Sequence, residues 1–325
     1  MIKIAIPSFK RPNVLKNKTL RVLMEQKINP KRIIIFVSDI EQKKEYLKIL
    51  DSNTYDKIIV GKPGIKNIRN FMANYFKEKQ KIFYIDDDIS HIFQVFNDVT
   101  KKNFSKSIGK VLPKLEKGYN RSDNKLHYMR NLGDFIENAF NIAEEKGCTN
   151  WGIYPVENPY FMKPTTENVN DYTSTKLTYI MGGFTGVVNN KKAEIRTIDD
   201  KEDYERTIKY YLKDDGVLRF LNVCVRTRCY TEPGGMQENR TKERIHESAV
   251  YLTKQYPLLC TLNTSKKSGF SEVKLRDRRF SKDKKFKVNC NSILNNKSIK
   301  SKKTKKLVKI KIEDMKIPKC SDITL

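Results

Sequence analysis

The stretch of sequence that decides the fold is FYIDDDI, at residues 83–89 of this 325-residue chain. An apolar run ends there in three consecutive aspartates, Asp86, Asp87 and Asp88. Side chains alternate between the faces of a strand, so we expect Asp86 and Asp88 on one side and Asp87 on the other. Two converging carboxylates suit Mg²⁺ or Mn²⁺, which completes its coordination with water and substrate phosphates. The alternative is a solvated acidic turn that caps the following helix.

The sequence before this stretch alternates β-branched runs with amphipathic segments, which indicates βα units and a mainly parallel sheet flanked by helices. Strands are predicted at residues 2–7, 32–37, 57–60 and 81–85, and helices at 13–26, 41–50 and 65–77. Ligands of open α/β sheets bind beyond the carboxyl ends of the strands. The aspartates therefore stand where a ligand site is expected in an α/β fold.

A glycine and an arginine precede the aspartates in the segment GIKNIRN, residues 64–70, which opens the third helix. Gly64 permits close approach of the backbone to a ligand, and a helix N-terminus favours anions. Arg69 is suited to a two-bond contact with a phosphate or a carboxylate.

The second half of the chain adds a glycine-containing segment and an acidic helix start. Strands are predicted at residues 151–154, 177–181, 184–188 and 218–227, and helices at 133–146, ended by Gly147, and at 203–212. The sequence GGFTG occupies residues 182–186, and DDKEDY occupies residues 199–204. By itself, such an acidic cluster is an ordinary helix cap.

In order and spacing, IAIPSFKRP (residues 4–12), GIKNIRN and YIDDDI resemble the Rossmann-like nucleotide-sugar domain of GT-A fold glycosyltransferases. The resemblance implies that Asp86 and Asp88 form the DxD motif, which holds the metal ion and the sugar nucleotide. It also implies donor contacts from Pro7, Ser8, Arg11, Asp39, Gly64, Arg69 and Asn70, with Asp39 at the nucleobase.

On the acceptor side, GGFTG resembles the glycine-containing segment of such enzymes. The Glu202-Asp203 pair resembles the Glu-Asp pair that supplies the catalytic base in inverting members. An inverting transfer needs a carboxylate that accepts the proton of the acceptor hydroxyl as that hydroxyl attacks the anomeric carbon. Asp203 is the first candidate and Glu202 the second, while Asp199 and Asp200 stay open.

A late histidine serves as an additional metal ligand in many GT-A enzymes, and His246 is the candidate here. The alternative is a surface histidine on a helix predicted over residues 241–252. The implied cofactor is Mn²⁺ or Mg²⁺, with a UDP-sugar as the donor substrate.

The charge of the chain points to a polyanionic partner. There are 65 Lys and Arg against 38 Asp and Glu, a net charge of +27, and residues 266–325 hold 20 of the basic and 6 of the acidic residues. Neutralising phosphates releases counterions, which favours DNA, RNA or an anionic membrane face, although the coding bias of an AT-rich genome is an alternative source of lysine.

Through IAIPSFKRPN, GIKNIRN, YIDDDI, GGFTG and EDYERT, the stretch from residue 2 to about residue 280 looks most like glycosyltransferases found beside TET/JBP-type oxygenases in phages and large DNA viruses. That resemblance implies transfer of a sugar to the hydroxyl of a 5-hydroxymethylpyrimidine in DNA. The alternatives are a protein, lipid or glycan acceptor and, from another class, a non-catalytic basic DNA-binding protein. A metal nuclease would need more carboxylates and histidines than the motifs supply.

We expect one GT-A domain at residues 1–262, with a nucleotide-sugar half (1–96) and an acceptor half (97–262), followed by a partly disordered basic extension (263–325). Residues 97–130 are polar and rich in lysine, and we expect them to form a long excursion outside the core of the domain. The six cysteines form no C-x-x-C pair, which disfavours a structural zinc site. With no membrane-length apolar run and no signal-peptide pattern, an intracellular protein, cytoplasmic or nuclear, without membrane insertion is expected. Its oligomeric state stays open.

Overall fold

The structure is a computed structural model that describes residues 1–95, 126–164, 172–227, 234–235, 240–263, 270–277, 279, 299–300 and 307–308. Its main feature is an eight-stranded sheet with the order β3-β2-β1-β4-β9-β7-β10-β8. These strands are β1 (Lys3–Pro7), β2 (Ile33–Val37), β3 (Lys57–Val60), β4 (Lys81–Ile85), β7 (Asn150–Ile153), β8 (Thr173–Ser174), β9 (Phe184–Val188) and β10 (Leu218–Phe220).

Three smaller sheets accompany it among the described residues. One contains β11 (Val223–Arg226), β5 (His91–Val95) and β6 (Leu126–Tyr128), in that order. The others are the hairpins of β12 (Cys260–Asn263) with β13 (Glu272–Leu275) and of β14 (Ile299–Lys300) with β15 (Leu307–Val308).

The first helix, α1, has two α-helical parts (Pro12–Leu15 and Arg21–Glu25) joined by a π-helical turn (Lys16–Leu20). The other helices are α2 (Ile40–Ile49), α3 (Ile65–Tyr75), α4 (Leu132–Glu145), the short α5 (Lys191–Glu194), α6 (Glu202–Asp214) and α7 (Lys242–Gln255). None of the helices in the described part of the chain is long and apolar enough to span a membrane.

The direction of the strands gathers several loops at one edge of the sheet. Strands β1 to β4 are mutually parallel where they pair, and β9 is antiparallel to both β4 and β7. Strand β7 therefore runs parallel to β4. The segments that follow β1, β2, β4 and β7 lie at the same edge, as the sequence predicts for the ligand-binding side of an α/β sheet.

Helices cover both faces of this sheet. One hydrophobic cluster joins the sheet to α1 and α4 through Leu15, Leu23 and Phe140. The other joins it to α3 and α6 through Met72 and Ile208. Every residue of β2 is buried, because the apolar sequence IIIFV faces a helix layer on each side. The predicted α/β class, with a mainly parallel sheet flanked by helices, is confirmed.

Some predicted elements are confirmed and others are wrong. The strands at residues 57–60, 81–85 and 184–188 have the predicted bounds, and Gly147, at φ 68°, follows α4. The strand predicted at residues 177–181 does not form. Its backbone groups bond to side chains instead: the Leu177 N–H to Asp277 at 2.7 Å and the Ile180 carbonyl to Arg206 at 3.3 Å.

One further prediction needs correction. The strand predicted at 218–227 is two strands, because a turn at residues 221–222 passes the chain from the large sheet to the small one. The domain boundary at 262 stays a prediction, and the β12–β13 hairpin spans that position. The fold continues to Arg279, since Asp277 accepts hydrogen bonds from Tyr211 and Leu177. Most of the predicted excursion (97–125) and most of the basic extension lie outside the described residues, whereas residues 126–128 form β6.

Candidate active site

The three aspartates form a turn directly after β4 and contact three different parts of the fold. Oδ1 of Asp86 accepts a hydrogen bond from Nη2 of Arg69 on α3 at 2.7 Å. Oδ2 of Asp87 accepts one from Ser8 at 2.6 Å, and Oδ2 of Asp88 accepts one from Thr227 at 2.5 Å. Asp87 and Asp88 are buried, while the Asp86 side chain is 38% exposed. Asp86 is therefore the carboxylate that a ligand reaches first.

The same turn is held from behind by the π-helical turn of α1. The buried hydroxyl of Thr19 donates to the carbonyl oxygen of Asp86 at 2.7 Å and accepts from the N–H of Ile89 at 3.0 Å. One side chain thus satisfies backbone groups at both ends of the aspartate turn. Single π-helical turns recur at functional sites because they redirect side chains within a helix.

The residues present fit a divalent metal ion. Burial raises the pKa of Asp88, and the charge of Asp86 raises it further, while the Thr227 hydrogen bond opposes this. A cation between the two carboxylates would relieve that repulsion. No three His, Cys, Asp or Glu side chains of the described residues form a metal site. A site of two carboxylates matches Mg²⁺ or Mn²⁺, which takes its remaining ligands from water and phosphates.

The loop after β1 is tied to Asp87. Besides its bond to Asp87, the Ser8 hydroxyl shares a 2.6 Å hydrogen bond with the Tyr46 hydroxyl, and Nη1 of Arg11 lies 3.4 Å from Oδ1 of Asp87. Burial raises the pKa of Asp87 to about 7, although Ser8 and Arg11 oppose the shift. Pro7 ends β1 beside Phe36. Two predicted donor contacts, Ser8 and Arg11, thus also hold the central aspartate.

Asp39 stands at the end of β2, next to this loop. It caps α2, accepting the N–H of Gln42 at 2.8 Å, and it is exposed. That backbone hydrogen bond, with the Ser38 hydroxyl, lowers its pKa despite a small opposing effect of burial. The Gln42 side chain in turn accepts the N–H of Lys10 at 2.9 Å. Asp39 is thereby an ionised, accessible acceptor beside the β1 loop.

The N-terminus of α3 is occupied by a carboxylate of the chain itself. Gly64 begins the helix at φ 90°, which favours glycine, and Oδ1 of Asp199 accepts the N–H of Lys66 at 3.1 Å. The anion that this helix end attracts is thus Asp199. Asn70 is also engaged: its amide bonds both the N–H and the carbonyl of Arg196, at 2.7 and 3.0 Å. Asn70 therefore joins α3 to the segment before α6 through these two hydrogen bonds.

Arg69 links the aspartate turn to α6. Its Nε lies 3.5 Å from Oε1 of Glu202, whose Oε2 accepts from Nε of Arg196 at 3.0 Å. Burial would raise the pKa of Glu202, but Arg196 and Arg69 lower it. Glu202 therefore stays ionised between two arginines. Nη1 of Arg69 is buried without a hydrogen-bond partner among the described residues, beside Asp86.

Asp203 is the half-buried neighbour of Glu202 in the first turn of α6. Its Oδ2 accepts from the Tyr179 hydroxyl at 2.5 Å and its Oδ1 from the N–H of Tyr204 at 3.0 Å. Burial and then the charge of Glu202 raise its pKa, while the Tyr179 hydrogen bond, Arg206 and Lys201 lower it. A carboxylate whose pKa is raised in this way is a better proton acceptor than an ordinary aspartate.

Gly182 and Gly183 lie between Asp86 and the Glu202–Asp203 pair. A Cβ on Gly183 would lie 2.7 Å from Cγ of Asp86, and a Cβ on Gly182 would lie 3.1 Å from Oε1 of Glu202 and 3.4 Å from Cβ of Asp203. The Gly183 carbonyl also accepts the N–H of Asp86 at 3.0 Å. The predicted acceptor-side segment is thus wedged between the predicted metal ligand and the predicted base.

The structure does not bring His246 to the aspartate turn. His246 lies on α7, which packs on the β12–β13 hairpin, and its Nδ1 is 2.8 Å from the Ser271 hydroxyl. It does not join Asp86 and Asp88 as a third ligand in the described structure. His246 is held elsewhere because α7 packs on the β12–β13 hairpin and its Arg244 is paired with the buried Asp200.

Four residues of the site were not predicted to act there. Asp87 lies in the motif, directly after the end of β4 at Ile85, but only Asp86 and Asp88 were predicted as ligands. Thr19, Tyr179 and Thr227 carry no sequence signal, since each acts through a contact distant in sequence.

No family model matches the chain, and no curated protein matches it. Among solved structures, residues 1–349 of Staphylococcus aureus TarS align with 69% of this chain and 59% of their own length, at 10% identity and a TM-score of 0.35. A mycobacterial protein aligns over 85% and 84%, at 7% identity and a TM-score of 0.38. The apo-form glycosyltransferase GlyE of Streptococcus pneumoniae TIGR4 aligns over 44% and 38%, at 13% identity and a TM-score of 0.18. The chain spans less than two thirds of the TarS fragment, and all three of these TM-scores are below 0.5.

Proposed function

We propose that this protein is a metal-dependent GT-A glycosyltransferase that moves a sugar from a nucleotide-sugar, a UDP-sugar, to an acceptor hydroxyl with inversion. The observation that carries the proposal is the arrangement around Gly182 and Gly183. A Cβ on Gly183 would lie 2.7 Å from Cγ of Asp86, and one on Gly182 would lie 3.1 Å from Oε1 of Glu202 and 3.4 Å from Cβ of Asp203, so both candidate bases border the glycine pair opposite Asp86. A donor-side and an acceptor-side carboxylate on either side of a small gap is what a direct displacement requires.

The chemistry follows from the residues. The donor diphosphate would lie at Asp86 and Asp88, where a bound Mn²⁺ or Mg²⁺ supplies the positive charge that stabilises the departing nucleoside diphosphate. Arg69 would add a buried positive charge at the same place. Asp203 would accept the proton of the acceptor hydroxyl while the acceptor oxygen bonds to the anomeric carbon. The bond from that carbon to the phosphate oxygen of the donor breaks in the same step.

As the acceptor we propose the hydroxyl of a 5-hydroxymethylpyrimidine in DNA. The net charge of +27 supports a polyanionic acceptor, because each phosphate contact releases counterions. A glycan acceptor gives no reason for that charge. The resemblance to the phage and viral enzymes also favours DNA as the acceptor. A non-catalytic DNA-binding protein would not need carboxylates on both sides of the glycine pair.

The test is transfer from a panel of UDP-sugars with Mn²⁺, with and without DNA containing hydroxymethylated pyrimidines. We expect labelled sugar in the DNA only when the hydroxymethyl groups are present. Donor hydrolysis without transfer to this DNA, combined with transfer to a glycan or protein, would assign the acceptor to the second class. DNA binding with no reaction of any donor would favour the non-catalytic protein.

A further inference from the structure

The turn after β7 presents an exposed aromatic surface at the active-site edge of the sheet. Of the eight exposed large apolar side chains in the described residues, three lie within it: Val156 (57%), Tyr160 (55%) and Phe161 (58%). Neighbouring Lys163 places its Nζ 4.7 Å from the centre of the Tyr160 ring. We call residues 156–163 the aromatic turn.

The position of the aromatic turn ties it to the aspartates. Strand β7 runs parallel to β4 and lies two strands away, which corresponds to about 10 Å. The Glu157 carboxylate binds the Arg226 guanidinium through two contacts, of 2.6 and 3.0 Å. The next residue, Thr227, donates to Asp88. The aromatic turn therefore borders the proposed reaction site on the acceptor half of the chain.

The turn is also held rigidly. The Asn158 side chain caps its 3₁₀ segment, Pro159–Phe161, by accepting the N–H of Tyr160 at 3.1 Å. Pro159 is buried, and Met162 is buried in a cluster with Phe93 and Cys224. The exposed rings of Tyr160 and Phe161 meet edge to face, 5.0 Å apart. Rings held in place before binding lose little conformational freedom when a ligand stacks on them.

We propose that the aromatic turn is a stacking platform for the bases of the DNA strand next to the target nucleotide. This deepens the proposed function and rests on it. Exposed rings beside basic side chains are the usual combination for single-stranded nucleic acid, since every base has a face to stack. The large positive charge of the chain makes a base-bearing polyanion the complementary occupant. A target base has to leave the duplex to react, which exposes the faces of its neighbours.

The experiment measures binding of a fluorescent single-stranded oligonucleotide by anisotropy, with an abasic strand of the same length as the second probe. The variant is Tyr160→Ala with Phe161→Ala, and a second variant with leucine at both positions keeps apolar bulk without aromatic faces. Leu47→Ala is the matched control, because Leu47 is equally exposed (54%) on α2. Thermal melting checks that each variant is folded.

We expect both double variants to bind the base-bearing strand at least 5- to 10-fold more weakly, the lower end of what stacking contributes. The abasic strand should bind the wild type and both double variants equally, and the salt dependence of these variants should not change, because the rings neutralise no phosphate. Lys163→Gln should instead make the slope of log affinity against log salt shallower by about 0.7.

Four outcomes would each overturn the platform. The alanine variant could bind with unchanged affinity, or the leucine variant with full affinity. The losses could be equal on the abasic strand, or the wild-type protein could fail to bind DNA. The outcome is separate from that of the proposed function. Sugar transfer that is absent from the wild type rejects the function, whereas transfer with unaltered binding by the alanine variant rejects the platform alone.

Discussion

The hydroxyl of Tyr179 donates a hydrogen bond of 2.5 Å to Oδ2 of Asp203. The Tyr179 ring also stacks on that of Tyr204, with the centres 4.4 Å apart. Asp203, the proposed base, is thus held by Tyr179, which precedes Gly182 and Gly183, and by the backbone of α6.

If Asp203 accepts the proton, Asp203→Asn should lower kcat by roughly 10²-fold or more, the usual contribution of a general base. Donor binding should change little, because Asp86, Asp88 and Arg69 keep their contacts. Steady-state kinetics and donor titration check this. Full activity of Asp203→Asn together with an inactive Glu202→Gln would move the role to Glu202.

Tyr179→Phe should shift the acidic limb of the kcat/KM profile to higher pH. The tyrosine hydrogen bond favours the ionised form of Asp203, as do Arg206 and Lys201, while burial and Glu202 favour the protonated form. Removing the hydroxyl therefore raises the pKa of Asp203. A base has to be ionised, so activity at low pH falls while the plateau at higher pH is kept. A uniform loss at every pH would show that Tyr179 only supports the structure.

Asp88→Ala should abolish transfer, and EDTA should inactivate the wild type until Mn²⁺ or Mg²⁺ is added back. The reason is that the two carboxylates of Asp86 and Asp88 provide the protein ligands for the ion that stabilises the diphosphate. Titration with Mn²⁺ checks binding directly, and Asp56→Asn, a surface change beside Lys3, is the control. Full turnover in EDTA would contradict a metal-dependent mechanism.

Thr19→Val should weaken Mn²⁺ binding by about 10-fold or more, in line with losses of residues that orient metal ligands. Valine has nearly the shape of threonine but leaves the Asp86 carbonyl and the Ile89 N–H without their partner. Thr19→Ser retains the hydroxyl and should retain most of the affinity. If valine and serine bind Mn²⁺ alike and differ only in melting temperature, Thr19 stabilises the fold without positioning the aspartates.

Gly183→Ala should displace the Asp86 carboxylate, because the added methyl group would overlap it at 2.7 Å from Cγ. Overpacking of this kind costs about 1–3 kcal/mol of stability, and here it should also reduce metal binding. The control is Gly133→Ala in α4, where the nearest atom is an ordinary 3.7 Å away. Melting curves and Mn²⁺ titrations of both variants test the point, and normal Mn²⁺ affinity of Gly183→Ala would contradict it.

The amino-acid sequence by itself determined the features that depend on neighbours along the chain. The strands at 57–60, 81–85 and 184–188 were predictable because apolar runs bounded by turn residues decide them locally. The aspartate turn after β4 followed from the same pattern, and so did α4 with Gly147 behind it.

Only the tertiary structure decided which side chains meet. The segment at 177–181 has a strand-like sequence, yet side chains from α6 and from Asp277 satisfy its backbone, and such partners cannot be read from local pattern. The strand predicted at 218–227 is divided because its first part pairs in the large sheet and its second part pairs in the small sheet. The contacts of Thr19 with Asp86, of Tyr179 with Asp203 and of Gly183 with Asp86 join residues far apart in sequence. They exist because close packing of the sheet and its helices leaves room for one arrangement, and hydrophobic periodicity does not encode that arrangement.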